Sequence, residues 1–431
     1  VYKRQIESLV RSPMSQITES DVKTEVGEWI DQNWDPELTV AQWWQLMADA
    51  RLSHTMLSEE AGGRGWSRAL NHVALSVMAD KGVLGPPTGL GMMLAAPTIA
   101  THGTDDQIRE YIPKILNGQH AWCQLFSEPG AGSDLAGLQC KAEKDGDEWV
   151  INGQKVWTSG GKVADMGMLI ARTDPDLPKH QGISYFAFSM KQEGVDIRPL
   201  TEMTGRALFN EVFITDGKVH DNALIGGKSN GWRVANSTLM FERSHLGSGT
   251  VPVPSAIPGS IAGQLDLKVG DVLSSITRGS GGTPAIGPRL FERLSQLAQK
   301  LGKDTDPVIR DEMMKLHTLV EVNRLNMIRA KASSDRTGAE GNIGKLMVSE
   351  LYRQFREVGN MVVGADGMLT STEVNQGGWV HEVTTFSPAP SIYGGTDQVQ
   401  RNIIGERVLG LPKEPGPVSY THLTLPTTHD V

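Results

Sequence analysis

The chemistry in this chain rests on two short stretches and one carboxylate. Ser127-Glu-Pro-Gly-Ala-Gly-Ser-Asp134 sets glycines and small residues beside hydroxyls, and Lys155-Val-Trp-Thr-Ser-Gly-Gly161 follows after a short meander. Backbone without bulky side chains lets a flat, phosphate-bearing cofactor come close. The hydroxyls of Ser127, Ser133, Thr158 and Ser159 can hydrogen-bond its polar edges, and the Trp157 ring can lie against it. A lone Gly-Ala-Gly-Ser reads as a plain turn; the information lies in the ordered pair.

The carboxylate is Glu242. Trp232, Ala235, Leu239, Glu242 and Leu246 are spaced three, four, three and four apart, one face of a helix on which Glu242 stands where a leucine is expected. Carboxylates on a buried ridge are paired or line a cavity. One reading pairs Glu242 with Arg243 or a distant cation. The other makes it a general base in a mostly dry pocket, where burial would lift its pKa from about 4.3 toward a value suited to accepting a proton.

The elements that must position these groups fall into three regions. Residues 14–118 read as helical: Val22, Val26, Trp29 and Ile30 recur at helical spacing, as do Val40, Trp43, Trp44 and Met47. Thr104-Asp-Asp-Gln107 has the form of a capping box, and Pro113 is expected to bend or end the helix it opens. From 119 to 228 the period changes to two. Asp145-Gly146 and Asn152-Gly153 read as hairpin turns flanking Glu148–Ile151, with further strands at Met166–Ala171, Ile183–Phe188 and Leu208–Ile214. That pattern predicts an antiparallel β-barrel or sandwich with both cofactor stretches on its loops and strand ends.

From 229 to 417 the chain is helical again, with segments at Leu290–Lys300, Asp306–Ala332 and Ile343–Val358, and Val380–Pro390 as a connector. A Gly/Ser/Pro-rich insertion, 250–288, interrupts this region; Leu265, Val269 and Leu273 leave room for a short helix within it. The fold class expected is α+β and multidomain: a helical N-terminal domain, a middle antiparallel β-barrel or sandwich, and a C-terminal helical bundle.

Composition narrows the function. A net charge of -9 over 431 residues leaves no basic field for a nucleic-acid backbone. Cys123 and Cys140 make neither a disulfide framework nor a metal quartet, and fit a reducing cytoplasm. The most apolar run, Leu84–Ala100, is broken by Gly85, Pro86, Pro87 and Pro97, so no membrane span is expected. The two ends look foreign. Val1-Tyr-Lys-Arg-Gln5 can be encoded by a string whose reverse complement, in another frame, begins Val-Ser-Tyr-Thr-His, as at Val418–His422. Residues 1–13 and 418–431 are therefore expected to be adapter-derived tails, with Met14 a start and an end near Pro417.

Glu-Pro-Gly-Ala-Gly-Ser-Asp followed by Trp-Thr-Ser-Gly-Gly resembles the flavin-binding middle domain of the acyl-CoA dehydrogenase family, and Gln398-Val-Gln-Arg-Asn-Ile-Ile-Gly-Glu-Arg-Val-Leu-Gly410 is also similar to it. The resemblance covers residues 20–415. It implies FAD as cofactor, held by Phe126, Ser127, Gly132, Ser133, Trp157, Thr158 and Ser159, with Ser159 nearest the flavin N5, and closed over by Gly395, Thr396 and Gln398. Many members carry their base as the glutamate of a Tyr-Glu-Gly-Thr motif; here Tyr393-Gly394-Gly395-Thr396 puts a glycine there. A subgroup that includes isovaleryl- and long-chain-type enzymes instead has a Glu-Arg pair on the helix after the β domain, which Glu242-Arg243 matches.

The resemblance implies that Glu242 removes the pro-R α-proton of an acyl-CoA thioester while a hydride leaves the β-carbon for the flavin. Ser133 and Arg243 would touch the CoA portion or order the site. The Gly394 N–H, with the flavin ribityl 2′-hydroxyl, would polarise the thioester carbonyl. It further implies fatty-acid β-oxidation chemistry, an electron-transferring flavoprotein as acceptor, no metal, and a homo-oligomer or a hetero-oligomer with a related subunit. Two departures stand out: the Arg-x-x-Phe-Gly segment that reaches a neighbouring subunit's FAD is missing, and the Gly-Gly-x-Gly turn appears as Gly364-Ala-Asp-Gly367. Rival readings are a flavin oxidase or monooxygenase of the same fold, and a supporting subunit.

Overall fold

The computed structural model describes residues 17–246, 251–278, 286–332, 339–369 and 378–413. Both expected tails and part of the insertion lie outside the described residues.

The N-terminal region is α1 (Glu19–Asn33), α2 (Val40–Asp49), α3 (Arg68–Asp80), a π-helical turn (Gly91–Ala95) running into α4 (Ala96–His102), and α5 (Asp105–Leu116). Thr18, Thr39 and Thr104 each close a capping box, which satisfies the free amides of α1, α2 and α5. Of the apolar residues expected inside, Val22, Val26, Ile30, Val40, Trp43, Trp44 and Met47 form one buried cluster, and Trp29 packs against it partly buried. Pro113 does not end its helix. It faces solvent, α5 continues to Leu116, and the Asn117 amide still bonds the Pro113 carbonyl at 3.0 Å, so only one exposed ladder bond is lost.

The middle region contributes β1 (Trp122–Leu125), β2 (Lys141–Asp145), β3 (Glu148–Lys155), β4 (Met166–Arg172), β5 (Ile183–Ser189), β6 (Val195–Leu200), β7 (Phe209–His220) and β8 (Leu224–Ile225). They form one sheet in the order β6-β7-β3-β2-β4-β5-β8, with β1 paired to β4. The sheet is mixed rather than wholly antiparallel, because β1 and β2 both run parallel to β4. Asp145-Gly146 is a hairpin turn, as expected. Asn152-Gly153 is not: β3 runs through it to Lys155 with a register shift between Ile151 and Gly153. The glycine serves close approach, since a Cβ there would lie 2.7 Å from the Cys140 Cα.

The C-terminal region is α6 (Gly231–Leu246), α7 (Val269–Arg278), α8 (Pro288–Lys300), α9 (Pro307–Ala332), α10 (Ala339–Val363), α11 (Trp379–Phe386) and α12 (Asp397–Ile403). Val380–Pro390, expected to be a connector, is largely α11. Trp379, Val380 and Val383 bury one side of that helix in the cluster of α8, α9 and α10. The insertion packs against the N-terminal helices: Ala256, Val269 and Val272 join their core. Its backbone is stitched down as well, with the amides of Val40 and Ala41 bonding the carbonyls of Leu267 and Leu265 at 2.9 Å.

Candidate active site

The two cofactor stretches form one unit. The Val156 amide bonds the Ser127 carbonyl at 2.9 Å. Below them the Lys155 Nζ, fully buried, donates to the Glu128 Oε1 at 2.8 Å and to the Phe126 carbonyl at 3.2 Å. Glu128 in turn accepts from the Gln139 and Cys140 amides at 2.6 and 2.9 Å. A buried ion pair is tolerable when further hydrogen bonds support both charges, and here two bonds from Lys155 and two backbone amides on Glu128 do so. Neither residue was singled out from sequence, since Glu and Lys beside a Gly-rich turn read as surface charge.

Trp157 stands 60% exposed with φ +60°, a left-handed conformation uncommon for a bulky residue. Its ring meets Phe209 edge to face at 5.8 Å. Asn210 holds the next residue: the Asn210 and Thr158 backbones exchange two hydrogen bonds at 3.0 Å, and the Asn210 Nδ2 donates to the Thr158 carbonyl at 2.9 Å. Phe126 is buried against Tyr185, Ser127 is half-buried, and Gly132, Ser133 and Ser159 are exposed.

These residues fit FAD. Thr158 Oγ1 is buried with no hydrogen-bond partner among the described residues, an unsatisfied hydroxyl beside the cofactor stretch. A Cβ at Gly130, Gly132 or Gly160 would meet nothing within 4 Å, so the backbone there lies open to a bulky partner. Among the described residues no group of His, Cys, Asp and Glu is arranged to hold a metal ion, and no helix is long and apolar enough to cross a membrane. Cys123 and Cys140 are buried and free; burial pushes the Cys123 thiol up to about 12, so it stays protonated.

Glu242 lies on the inward ridge of α6, whose Val234 and Ala235 are buried and whose Trp232 and Leu239 pack on the central core. Burial raises the Glu242 pKa, while the Gln124 side chain and the Arg243 charge act the other way. The Gln124 Nε2 is itself buried and faces Glu242 without a completed hydrogen-bond geometry among the described residues. Gln124 sits on β1, two residues before Phe126, so the base candidate and the first cofactor stretch meet at the end of that strand. No sequence signal marked Gln124. Among the described residues Arg243 acts on Glu242 through its field, not a salt bridge. Burial lowers the Arg243 pKa; Glu242 opposes that shift and nearby Arg407 adds to it.

The π-helical turn Gly91–Ala95 and α4 close the other side of α6, with the Thr98 and Thr238 hydroxyls 3.0 Å apart. Such turns recur at functional sites because the widened backbone re-aims side chains. The C-terminal residues are anchored separately, on the bundle. Gly394 and Gly395 form a left-handed turn with φ +62° and +83°, which glycine adopts without strain. Thr396 caps α12, accepting from the Val399 amide at 3.2 Å, and Gln398 is exposed. Gly341 on α10 touches Arg243, since a Cβ there would lie 3.1 Å from the Arg243 carbonyl oxygen. Its neighbour Asn342 donates to Gln400, which bonds the Gly394 carbonyl at 2.6 Å. The start of α10 thus lies between the base candidate and the glycine turn.

Comparison with known proteins agrees with this architecture. Family models match in order: acyl-CoA dehydrogenase N-terminal domain over residues 5–119, middle domain over 123–216 and C-terminal domain over 289–409. Acyl-CoA dehydrogenase IpdE1 of Mycobacterium tuberculosis is 35% identical over 378 residues, covering 86% of this chain and 88% of its own length. Among solved structures, the Tcur3481-Tcur3483 steroid ACAD superposes with a TM-score of 0.67 at 24% identity, covering 94% of this chain and 99% of that one. The ChsE4-ChsE5 complex from Mycobacterium tuberculosis gives 0.66 at 24% identity, covering 94% and 100%. The chain belongs to the acyl-CoA dehydrogenase family, FAD flavoproteins that oxidise acyl-CoA thioesters.

Proposed function

We propose that this protein dehydrogenates an acyl-CoA thioester between its α- and β-carbons, giving the trans-2-enoyl-CoA and passing electrons to an electron-transferring flavoprotein. The observation that carries this reading is Glu242: a half-buried carboxylate whose partial burial raises its pKa, on an apolar ridge, beside the strand that leads into the cofactor loop. A carboxylate so placed is more basic than one in water, which favours proton abstraction. FAD, when bound, supplies the acceptor for the hydride that leaves the β-carbon.

The α-proton of a thioester is far too weakly acidic for a carboxylate unless the carbonyl is polarised as the proton leaves. Gly394 can supply that through its backbone N–H, and having no side chain it leaves room for the thioester. Phe126, Ser127, Gly132, Ser133, Trp157, Thr158, Ser159, Gly395, Thr396 and Gln398 are assigned to the cofactor, and Ser133, Arg243 and Gly394 to the substrate. The apolar ridge and the π-helical turn exclude water, which strengthens each of these interactions.

A base on the helix leaves the side of the glycine turn open for a bulky or branched acyl group. The neighbour described as a steroid ACAD makes steroid-derived thioesters reasonable members of a substrate panel, and the two-component ChsE4-ChsE5 complex supports co-expression with a related subunit. The test is that panel with a ferrocenium-type acceptor on the FAD-loaded protein. At least one thioester reduces the acceptor in wild type and none does in Glu242→Gln. Retained turnover in the variant refutes the assignment.

A further inference from the structure

Asn342, Lys345, Ser349 and Arg353 are spaced three, four and four along α10 and so share one face. A polar stripe of this kind ordinarily faces water. Here Asn342, Lys345 and Ser349 are buried, and among the described residues their polar contacts beyond their own helix go to residues 390–400. Lys345 donates to Asp397 at 2.8 Å, with the two side chains 4% and 5% exposed. The Ser349 hydroxyl lies 2.8 Å from the same carboxylate and 2.9 Å from the Pro390 carbonyl, two acceptors that share its single proton. Arg353 reaches Asp397 and the Ser391 hydroxyl, both at 3.0 Å. Asn342 donates to Gln400, whose own amide donates to the Gly394 carbonyl at 2.6 Å.

Gly394 therefore sits inside a short run pinned to α10 on both sides: upstream at Pro390 and Ser391, downstream at its own carbonyl and at Asp397. Two consecutive left-handed glycines would otherwise be the loosest backbone in the region. A side chain at Gly395 would meet the Gln400 Nε2 at 2.8 Å, so the clamp and the glycine turn fit only together. Burying a lysine, an aspartate and two amides costs stability unless position is the return, and the group positioned is the Gly394 peptide.

We propose that the polar stripe of α10, acting through Gln400 and Asp397, is the device that aims the Gly394 amide at the substrate's carbonyl oxygen, with Gln400 and Asn342 its principal positioning residues. This rests on the dehydrogenase reading for what Gly394 does, though not for how it is held.

The test uses Gln400→Met, which keeps the length of the side chain but can neither accept from Asn342 nor donate to the Gly394 carbonyl. In the flavin-free protein, amide hydrogen exchange across residues 391–399 speeds up about fivefold or more, the worth of one lost hydrogen bond. In the FAD-loaded protein kcat falls about 10- to 100-fold with KM and flavin content nearly unchanged, as expected when a reacting group drifts by a fraction of an ångström. Asn342→Leu, which withdraws the support from behind, repeats the pattern. Wild-type exchange and wild-type kcat in either folded variant overturn the proposal. A wild-type protein that turns over no thioester, with exchange still accelerated in both variants, would instead condemn the dehydrogenase reading and leave the clamp standing.

Discussion

The Lys155 ammonium, with no solvent exposure, lies 2.8 Å from the Glu128 carboxylate and locks the two cofactor stretches into one rigid platform. Removing one partner leaves the other charged and buried. Glu128→Ala should therefore cost about 3–5 kcal/mol, far more than a surface pair. Chemical denaturation of wild type and variant measures it. A loss below about 1 kcal/mol would show that the pair is solvated.

Thr158 offers a buried hydroxyl that finds no partner among the described residues. If FAD supplies the partner, Thr158→Val leaves the flavin-free protein as stable as wild type or slightly more so, because an unsatisfied polar atom has gone. FAD binding weakens by about five- to thirtyfold, the worth of one buried hydrogen bond. Flavin titration followed by tryptophan fluorescence reads this directly. Equal affinity in both proteins would remove Thr158 from the cofactor site.

Glu242 has a pKa above the usual glutamate value because of its burial. Between about 4.3 and that raised value the folded state binds more protons than the unfolded one, so this residue's contribution to stability falls as pH rises through the window. Glu242→Gln should thus melt higher than wild type at neutral pH, with the difference vanishing below about pH 4. In wild type, kcat/KM should rise with pH through the same raised pKa as the base loses its proton. Thermal unfolding across pH and a kcat/KM profile check the two halves independently.

The described part of the Gly/Ser/Pro-rich insertion, residues 251–278, is a strap and not a free loop. The Gly259 amide bonds the Gly118 carbonyl at 2.8 Å with φ +100°, and a Cβ there would lie 2.6 Å from the Ala121 Cβ. Beside it the Ser260 hydroxyl donates to Asp165 at 2.5 Å. Gly259→Val should cost about 2 kcal/mol or more through overpacking and backbone strain. An unchanged melting temperature would mean that the strap is not held there in solution.

Much of this was legible from residue order alone because it follows from local rules. The Thr104–Gln107 capping box, the apolar ridges and the Asp145-Gly146 hairpin depend on neighbours a few positions apart, and they fall where spacing put them. Asn152-Gly153 misled because a turn and a bulge share the same dipeptide, and only the approach of Cys140 selects the bulge. Lys155, Glu128 and the stripe Asn342–Arg353 stayed invisible for a related reason. A polar residue becomes a buried clamp only when a partner far along the chain arrives, and 27 residues separate the first pair while 52 separate Lys345 from Asp397. Gln124 lies beyond reach of periodicity altogether, since its meaning comes from a helix more than a hundred residues later.

The role of Glu242 is tested most directly by mixing FAD-loaded wild type and Glu242→Gln anaerobically with a reactive acyl-CoA and following the bleaching of the flavin absorbance. The account predicts rapid bleaching in wild type and a rate lower by about two to four orders of magnitude in the variant, with thioester binding retained. Bleaching at the wild-type rate in Glu242→Gln would contradict it.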